Sequence, residues 1–240
     1  MGETGFDVTF RPVRAGNAFE ETVERLLQVI KLGSVAHGEK LPPERELATR
    51  LGISRVTLRE AIRALQEAGY LDVRRGRYGG AFVTYQPAPP HQEELRRVVA
   101  DMGIDDLDDA LTFRMAVECG AAQILATSEL TQAQRRAMRQ RLMEVNSASP
   151  GDYRRLDTAF HLTIAELTGS PLLAAACADA RLRVTDLLNA IPILQRNIEH
   201  AAAQHEAIVT AILAGDPDAA RRAVAEHLEG TAALLRGFLA

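Results

Sequence analysis

Residues 41–83, LPPERELATRLGISRVTLREAIRALQEAGYLDVRRGRYGGAFV, leave few folds open to the chain that carries them. Leu47, Ala48 and Leu51 form one apolar stripe at helical spacing, and Leu58, Ala61, Ile62 and Leu65 form a second. Pro42 and Pro43 introduce the first helix and Gly52 stops it; Ser54 caps the second and Gly69 supplies a left-handed terminator. Tyr70 to Arg74 and Ala81 to Tyr85 then alternate as two strands, with Gly76, Gly79 and Gly80 between them. Helix, turn, helix and glycine-tipped hairpin in that order read as a winged helix-turn-helix, a module that reads DNA. Upstream, Phe19, Val23, Leu26, Leu27 and Ile30 predict a further helix, capped by Asn17 and ending near Gly33, as the floor of this small domain.

At 240 residues the chain is long enough for two modest units. Gln86-Pro-Ala-Pro-Pro90 cannot continue a strand or start a helix, so an interdomain linker is placed there. The expected division is a DNA-binding domain over 1–85, a linker over 86–92 and a helical domain over 93–240. After Glu93 no strand pattern reappears, and capping signals mark six or seven helices. The clearest starts are Thr131 with Gln134, Ser170 before Pro171, and Asp216 before Pro217. A hydrophobic content of 47% with 5% aromatics and no Trp also favours packed helices. The fold expected is therefore mostly α: a winged helix-turn-helix followed by an all-α antiparallel bundle.

Net charge is −4, which by itself argues against a nucleic-acid partner. Its distribution reverses the argument. Residues 40–85 hold nine Lys/Arg against five Asp/Glu, whereas 86–240 hold fifteen against twenty-one. No apolar run reaches membrane-spanning length, and Met1 to Arg14 lacks the apolar core of a signal peptide, so a cytoplasmic location with no membrane partner is expected. Cys119 and Cys177 stand far apart within helical patterns and are expected as buried, reduced thiols.

A recognition helix offers the outward residues of its first turns to base edges. Arg55, Arg59 and Arg63, four apart, share one face of the helix after Ser54, where a guanidinium can grip guanine O6 and N7 or a phosphate. Thr57 is a further candidate. Arg45 begins the preceding helix, which crosses the backbone, and suits a phosphate or groove-edge contact. Arg75, Arg77 and Tyr78 sit at the wing. The bland alternative is a solvated face paired with Glu46, Glu60 and Glu67.

In the helical domain, Asp157 and His161 are four apart and project from one side of their helix. His205 and His227 lie on two later helices. Convergence of the three would present three imidazoles and a carboxylate, a set suited to zinc, nickel, manganese or iron. Against this stands the ordinary reading of isolated histidines as hydrogen-bonded core or surface residues, under which His37, His91 and His200 are left. Arg114 lies one turn before Glu118, a spacing that serves a plain salt bridge as well as a ligand site.

Here the sequence resembles the GntR family of bacterial transcription regulators. The motifs that carry the likeness are LPPERELA at 41–48, GISRVTLREA at 52–61, and GYL with RRGRYGGAFV at 69–83. The resemblance implies that Arg45, Arg55 and Arg59 are the main DNA contacts, joined by wing glycines such as Gly79. Arg114 with Glu118, DTAFH at 157–161 followed by TGS, HEAI at 205–208, AILAGD at 211–216 and His227 resemble the FadR subgroup that carries an FCD effector domain. In metal-binding members the positions of Asp157, His161, His205 and His227 hold the ion. In this domain type an inward arginine commonly meets the carboxylate of a small organic acid, which the resemblance implies for Arg114, with Asn189, Arg181 and Arg183 as weaker candidates for the same pocket. Ser170 departs from the asparagine of many members, a change confined to a helix cap.

The expected function is a DNA-binding regulator, a repressor by expectation, that binds a pseudo-palindromic duplex operator as a homodimer and responds to a small carboxylate held beside a divalent ion. The alternative is a metal-responsive regulator in which the ion itself is the signal. Metal-dependent hydrolysis ranks below both: beside the four ligands no general base has a clear place, and a DNA-reading domain would go unexplained. The chain is expected not to be an enzyme.

Overall fold

The computed structural model describes residues 18–76, 78–86 and 104–239. Arg77, the Asn17 cap and all but the first residue of the expected linker lie outside them. The chain divides into two compact units, Met1–Pro87 and Ala88–Ala240. Among the described residues there are nine helices and one two-stranded ladder.

The first unit holds α1 (Ala18–Lys31), α2 (Glu44–Leu51), α3 (Arg55–Glu67), β1 (Leu71–Arg74) and β2 (Gly80–Val83). Its core joins Leu26, Val29 and Ile30 of α1 to Leu47 and Leu51 of α2, Leu58, Ile62 and Leu65 of α3, and Val83 of β2. The cap signals act as the sequence indicates. Gly52 closes α2 with φ at 67°, in the left-handed region that a side chain resists. The Ser54 hydroxyl accepts from the Thr57 amide at 3.0 Å. After α3, the Tyr70 amide bonds back to the Leu65 carbonyl at 2.8 Å, the long bond of a Schellman ending.

Two expectations needed adjustment. Phe19 was placed on the apolar face of α1 but is 37% exposed, while Thr22 and Gln28 take buried positions. The strands are shorter than their alternation suggested. Tyr70 and Tyr85 lie beyond the ladder, where their rings stack at 5.4 Å. The sheet also gains a third segment: Leu41 donates to Ala81 at 2.8 Å and Val83 to Glu39 at 2.9 Å, with Lys40 bridged to Phe82. This pairing covers the outer edge of β2.

The second unit contains six helices among the described residues: α4 (Ile104–Ala126), α5 (Gln132–Asn146), α6 (Tyr153–Leu167), α7 (Pro171–Ala190), α8 (Gln195–Ala214) and α9 (Pro217–Leu239). Connections of two to six residues force consecutive helices to double back, which gives an antiparallel bundle. Thr131 and Gln134 form a complete capping box at α5. The Ser170 hydroxyl accepts from Leu173 at the start of α7, and the Asp216 carboxylate from Ala219 at the start of α9. One apolar cluster joins Leu125, Met138, Phe160, Ile164, Ile208, Ile212 and Val224. A second joins Leu107, Val184, Leu187 and Leu235. Cys119 and Cys177 are buried free thiols within this unit. No described helix is long and apolar enough to cross a membrane.

Candidate nucleic-acid interface and candidate metal centre

The buried stripe of α3 turns its other face outward. Arg55, Arg59 and Arg63 expose 57%, 60% and 80% of their side chains, so none is turned into the core. Their carboxylate partners are only partly those the sequence suggested. Arg63 Nε donates to Glu67 at 2.9 Å, one turn along the same helix. Arg59 Nε donates to Glu44 at 2.7 Å, and Arg55 lies 3.8 Å from the same oxygen. Arg45 and Arg75 are exposed. The Thr57 hydroxyl lies 2.9 Å from that of Ser54, tied to the helix cap.

Gly79 has a steric reason for its identity, since an added Cβ would stand 2.3 Å from the Arg74 carbonyl oxygen. Only glycine lets the wing turn this tightly. Tyr78, expected at the wing, is 84% exposed, and one apolar side chain that the sequence reading did not name, Val56 beside Arg55, is 67% exposed in the first turn of α3. An apolar residue at an outward position of a helix's first turn is the signal that would have found Val56.

In the second unit, five of the six helices deliver polar side chains to one buried region. Asp157 and His161 come from α6, His205 from α8 and His227 from α9; their ligand-capable atoms all lie within 4.8 Å of one another. Nε2 of His205, His227 and His161 stand 3.3, 3.8 and 3.9 Å from the same Asp157 oxygen, Oδ1. Among the described residues, Nε2 of His161 and of His205 are buried without a hydrogen-bond partner, so the 3.3 Å approach is a convergence rather than a hydrogen bond. Such orphaned nitrogens carry a desolvation cost that a shared ligand would relieve. Two ligands on one ion stand up to about 4.2 Å apart at bond lengths near 2.1 Å, so only a small contraction separates these atoms from a coordination shell.

The outer partners suit the same reading. Glu118 of α4 bonds His161 Nδ1 at 2.8 Å, and Gln204 of α8 lies 3.2 Å from His227 Nδ1. Each leaves Nε2 aimed inward, the arrangement by which metal sites fix a histidine tautomer. Arg181 of α7 bridges the two acids, with Nη1 at 3.2 Å from each Glu118 oxygen and Nη2 on Asp157. Arg114 Nε donates to Glu118 at 2.8 Å. Arg114 Nη1 is buried and, among the described residues, has no partner.

Electrostatics set the protonation states. Burial alone would raise Glu118, but Arg114, Arg181 and His161 outweigh it and hold the carboxyl well below its usual range. Burial likewise opposes ionisation of Asp157, and Arg181 with His205 prevails. Burial, assisted by Arg181, lowers His161; burial, assisted by His161 and His205, lowers His227 further. Ionised carboxylate and neutral imidazoles are the forms that bind a cation. Arg181 thus stands at the centre of the cluster rather than at its margin. Asn189 is half-buried eight residues further along α7, roughly 12 Å up the helix axis. Arg183 is exposed. Neither is gathered into the cluster.

Comparison with known proteins agrees with this architecture. Residues 19–83 match the family described as bacterial regulatory proteins, gntR family, and residues 109–230 match the FCD domain. The chain is 32% identical over 212 residues to a protein assigned as the HTH-type transcriptional regulator RmpR of Mycobacterium gastri, covering 86% of this chain and 76% of that one. It is 31% identical to the HTH-type transcriptional repressor NanR of Enterobacter sp. (strain 638), covering 95% and 89%. The solved structure of E. coli McbR/YncC shares the fold with a TM-score of 0.55 at 21% identity, over 92% of this chain and 97% of that one. With a winged helix-turn-helix that keeps its arginines outward and a helical bundle matched along most of its length, the chain is a transcriptional regulator of the GntR family with an FCD domain.

Proposed function

We propose that this regulator binds its operator through Arg45, Arg55, Thr57, Arg59, Arg63, Arg75, Arg77 and the Gly79 turn. Its operator affinity is set by a small carboxylate held next to a divalent ion in the FCD domain. The observation that carries the reading is the convergence of three imidazole nitrogens on Asp157 Oδ1, one turn and a shared glutamate away from a buried guanidinium with an unused donor. Asp157, His161, His205 and His227 would hold the ion. When bound, the ion supplies a Lewis-acidic centre that attracts an anion. Arg114 Nη1 would meet a carboxylate through a charge-assisted bond, and the surrounding helices keep water from competing. A homodimer on a pseudo-palindromic operator is the assembly in which a shift in the bundle changes the spacing of two reading helices. Only a ligand that binds the two arrangements unequally can produce that shift.

The test combines elemental analysis, thermal shift and operator binding on the full chain. Purified protein should carry roughly one divalent ion per chain, and His205→Ala should lose most of it. Acetate, lactate and citrate are the first probes, because stabilisation grows with ligand concentration over its dissociation constant. Stabilisation by one of them should vanish in Arg114→Ala while the metal content stays. Equal metal in His205→Ala and parent would refute the coordination. Loss of operator binding on chelation alone, with no carboxylate effect, would instead make the ion the signal.

A further inference from the structure

Glu44 stands where an acidic group is least expected, on the surface the arginines of α3 share. It is the first residue of α2, and Pro43 before it supplies no side-chain cap. Its carboxylate reaches across the turn rather than along its own helix. Oε2 accepts from Arg59 Nε at 2.7 Å and lies 3.8 Å from Arg55 Nη2. The pair is too exposed to matter for folding, with Glu44 at 40% and Arg59 at 60%. Arg63 offers the contrast, since its Nε is taken by Glu67 one turn along the same helix, an ordinary surface pairing.

The geometry of the Glu44 contact differs in its consequence. A guanidinium carries five N–H donors in a rigid plane, and one of them sits on Nε. With Nε committed to Glu44, the guanidinium is oriented toward that acid and the four donors on Nη1 and Nη2 remain. That terminal fork is the edge that matches O6 and N7 of one guanine. A carboxylate here also has an opposite effect, because it repels phosphates and weakens binding to any duplex. An acid that loses general affinity while orienting a reading group acts on selectivity.

We propose that Glu44 is a positioning residue for DNA sequence recognition: it clamps Arg59 through Nε so that the Nη fork addresses a single guanine, and it lowers affinity for other sequences by its charge. The inference rests on the assignment of Arg59 to the duplex. An operator is first selected by the parent protein from a randomised duplex library. Parent, Glu44→Gln, Glu44→Ala and Arg59→Ala full-length chains are then titrated against it, against each single base-pair change in it, and against a scrambled duplex. Thermal unfolding of each variant verifies that the exposed substitutions leave the fold intact.

Glu44→Gln keeps an acceptor for Nε without the charge; it should bind both duplexes more tightly and keep the parent's base preferences. Glu44→Ala should gain affinity for the scrambled duplex, yet lose roughly fivefold or more of its discrimination at one G·C pair. That pair should be the one at which Arg59→Ala loses discrimination. Equal gains on operator and scrambled duplex in Glu44→Ala would reduce Glu44 to a repulsive charge and overturn the proposal. A loss mapped to a different base pair would make Glu44 a direct reader and overturn it too. Undiminished operator affinity in Arg59→Ala would show instead that the assignment of Arg59 itself is mistaken, and the clamp would fall with it.

Discussion

Single side chains in the bundle interior set how the protein responds to acid. His161 lies below its ordinary 6.5 and His227 well below, burial being the first cause in each. The unfolded chain therefore takes up protons at these imidazoles before the folded chain does, and stability falls as pH drops through about 6.5. Asp157 and Glu118, held well below their ordinary 3.8 and 4.5 by arginines that outweigh burial, act in the same direction further down. Their contribution, full above about 4.5, is lost as pH falls through their depressed values. With a chelator present, the melting temperature of the full chain should decline from pH 7 to 5 and more steeply below about 4.5; a constant melting temperature down to pH 4 would contradict the assignment. The thiols give a second check at this scale. Burial, with Glu118 adding, pushes Cys119 up to about 11 and Cys177 up to about 12. Neither should react with a thiol reagent at pH 8 until denaturant is added, whereupon both should.

At the scale of elements, the DNA-reading unit was legible because each boundary carries a local chemical sign. Pro43, Gly52, Ser54 and Gly69 act within a turn of where they stand, and sequence shows that much. Pairing between distant segments leaves no such mark. The run Glu39–Leu41 has neither alternation nor length, so its hydrogen bonds to β2 were invisible, as was the reach of Glu44 from α2 to Arg59. The same limit shaped the bundle. The four ligand-type residues could be named, because the likeness to FCD domains singled out Asp157 and three of the six histidines, but the bridging of Glu118 and Asp157 by Arg181 depends on how α4, α6 and α7 pack. Two glycines test the local logic. Gly52→Ala must hold a left-handed φ and should lower stability by about 1 kcal/mol, read by denaturant titration. Gly79→Ala has no room beside the Arg74 carbonyl, so the wing must open. It should reduce operator affinity severalfold with the helical signal in circular dichroism unchanged; parent-like affinity would remove the wing from the interface.

Across the whole molecule, charge is segregated: the basic excess lies in residues 40–85 and the acidic excess in 86–240. Association with DNA therefore depends on counterion release from a limited patch, and should weaken steeply with salt. Arg45→Ala should reduce the slope of log affinity against log salt by about one if Arg45 meets a phosphate, with base preferences unchanged. An unaltered slope with altered preferences would move Arg45 to a base edge. The interior of the second unit obeys a different rule. The positive charges of Arg114 and Arg181 are matched by the carboxylates of Glu118 and Asp157, so this set of four is electrically even. A dication admitted alone would leave it two positive charges in excess. If the ion and the anion proposed above both bind here, each should raise the other's hold.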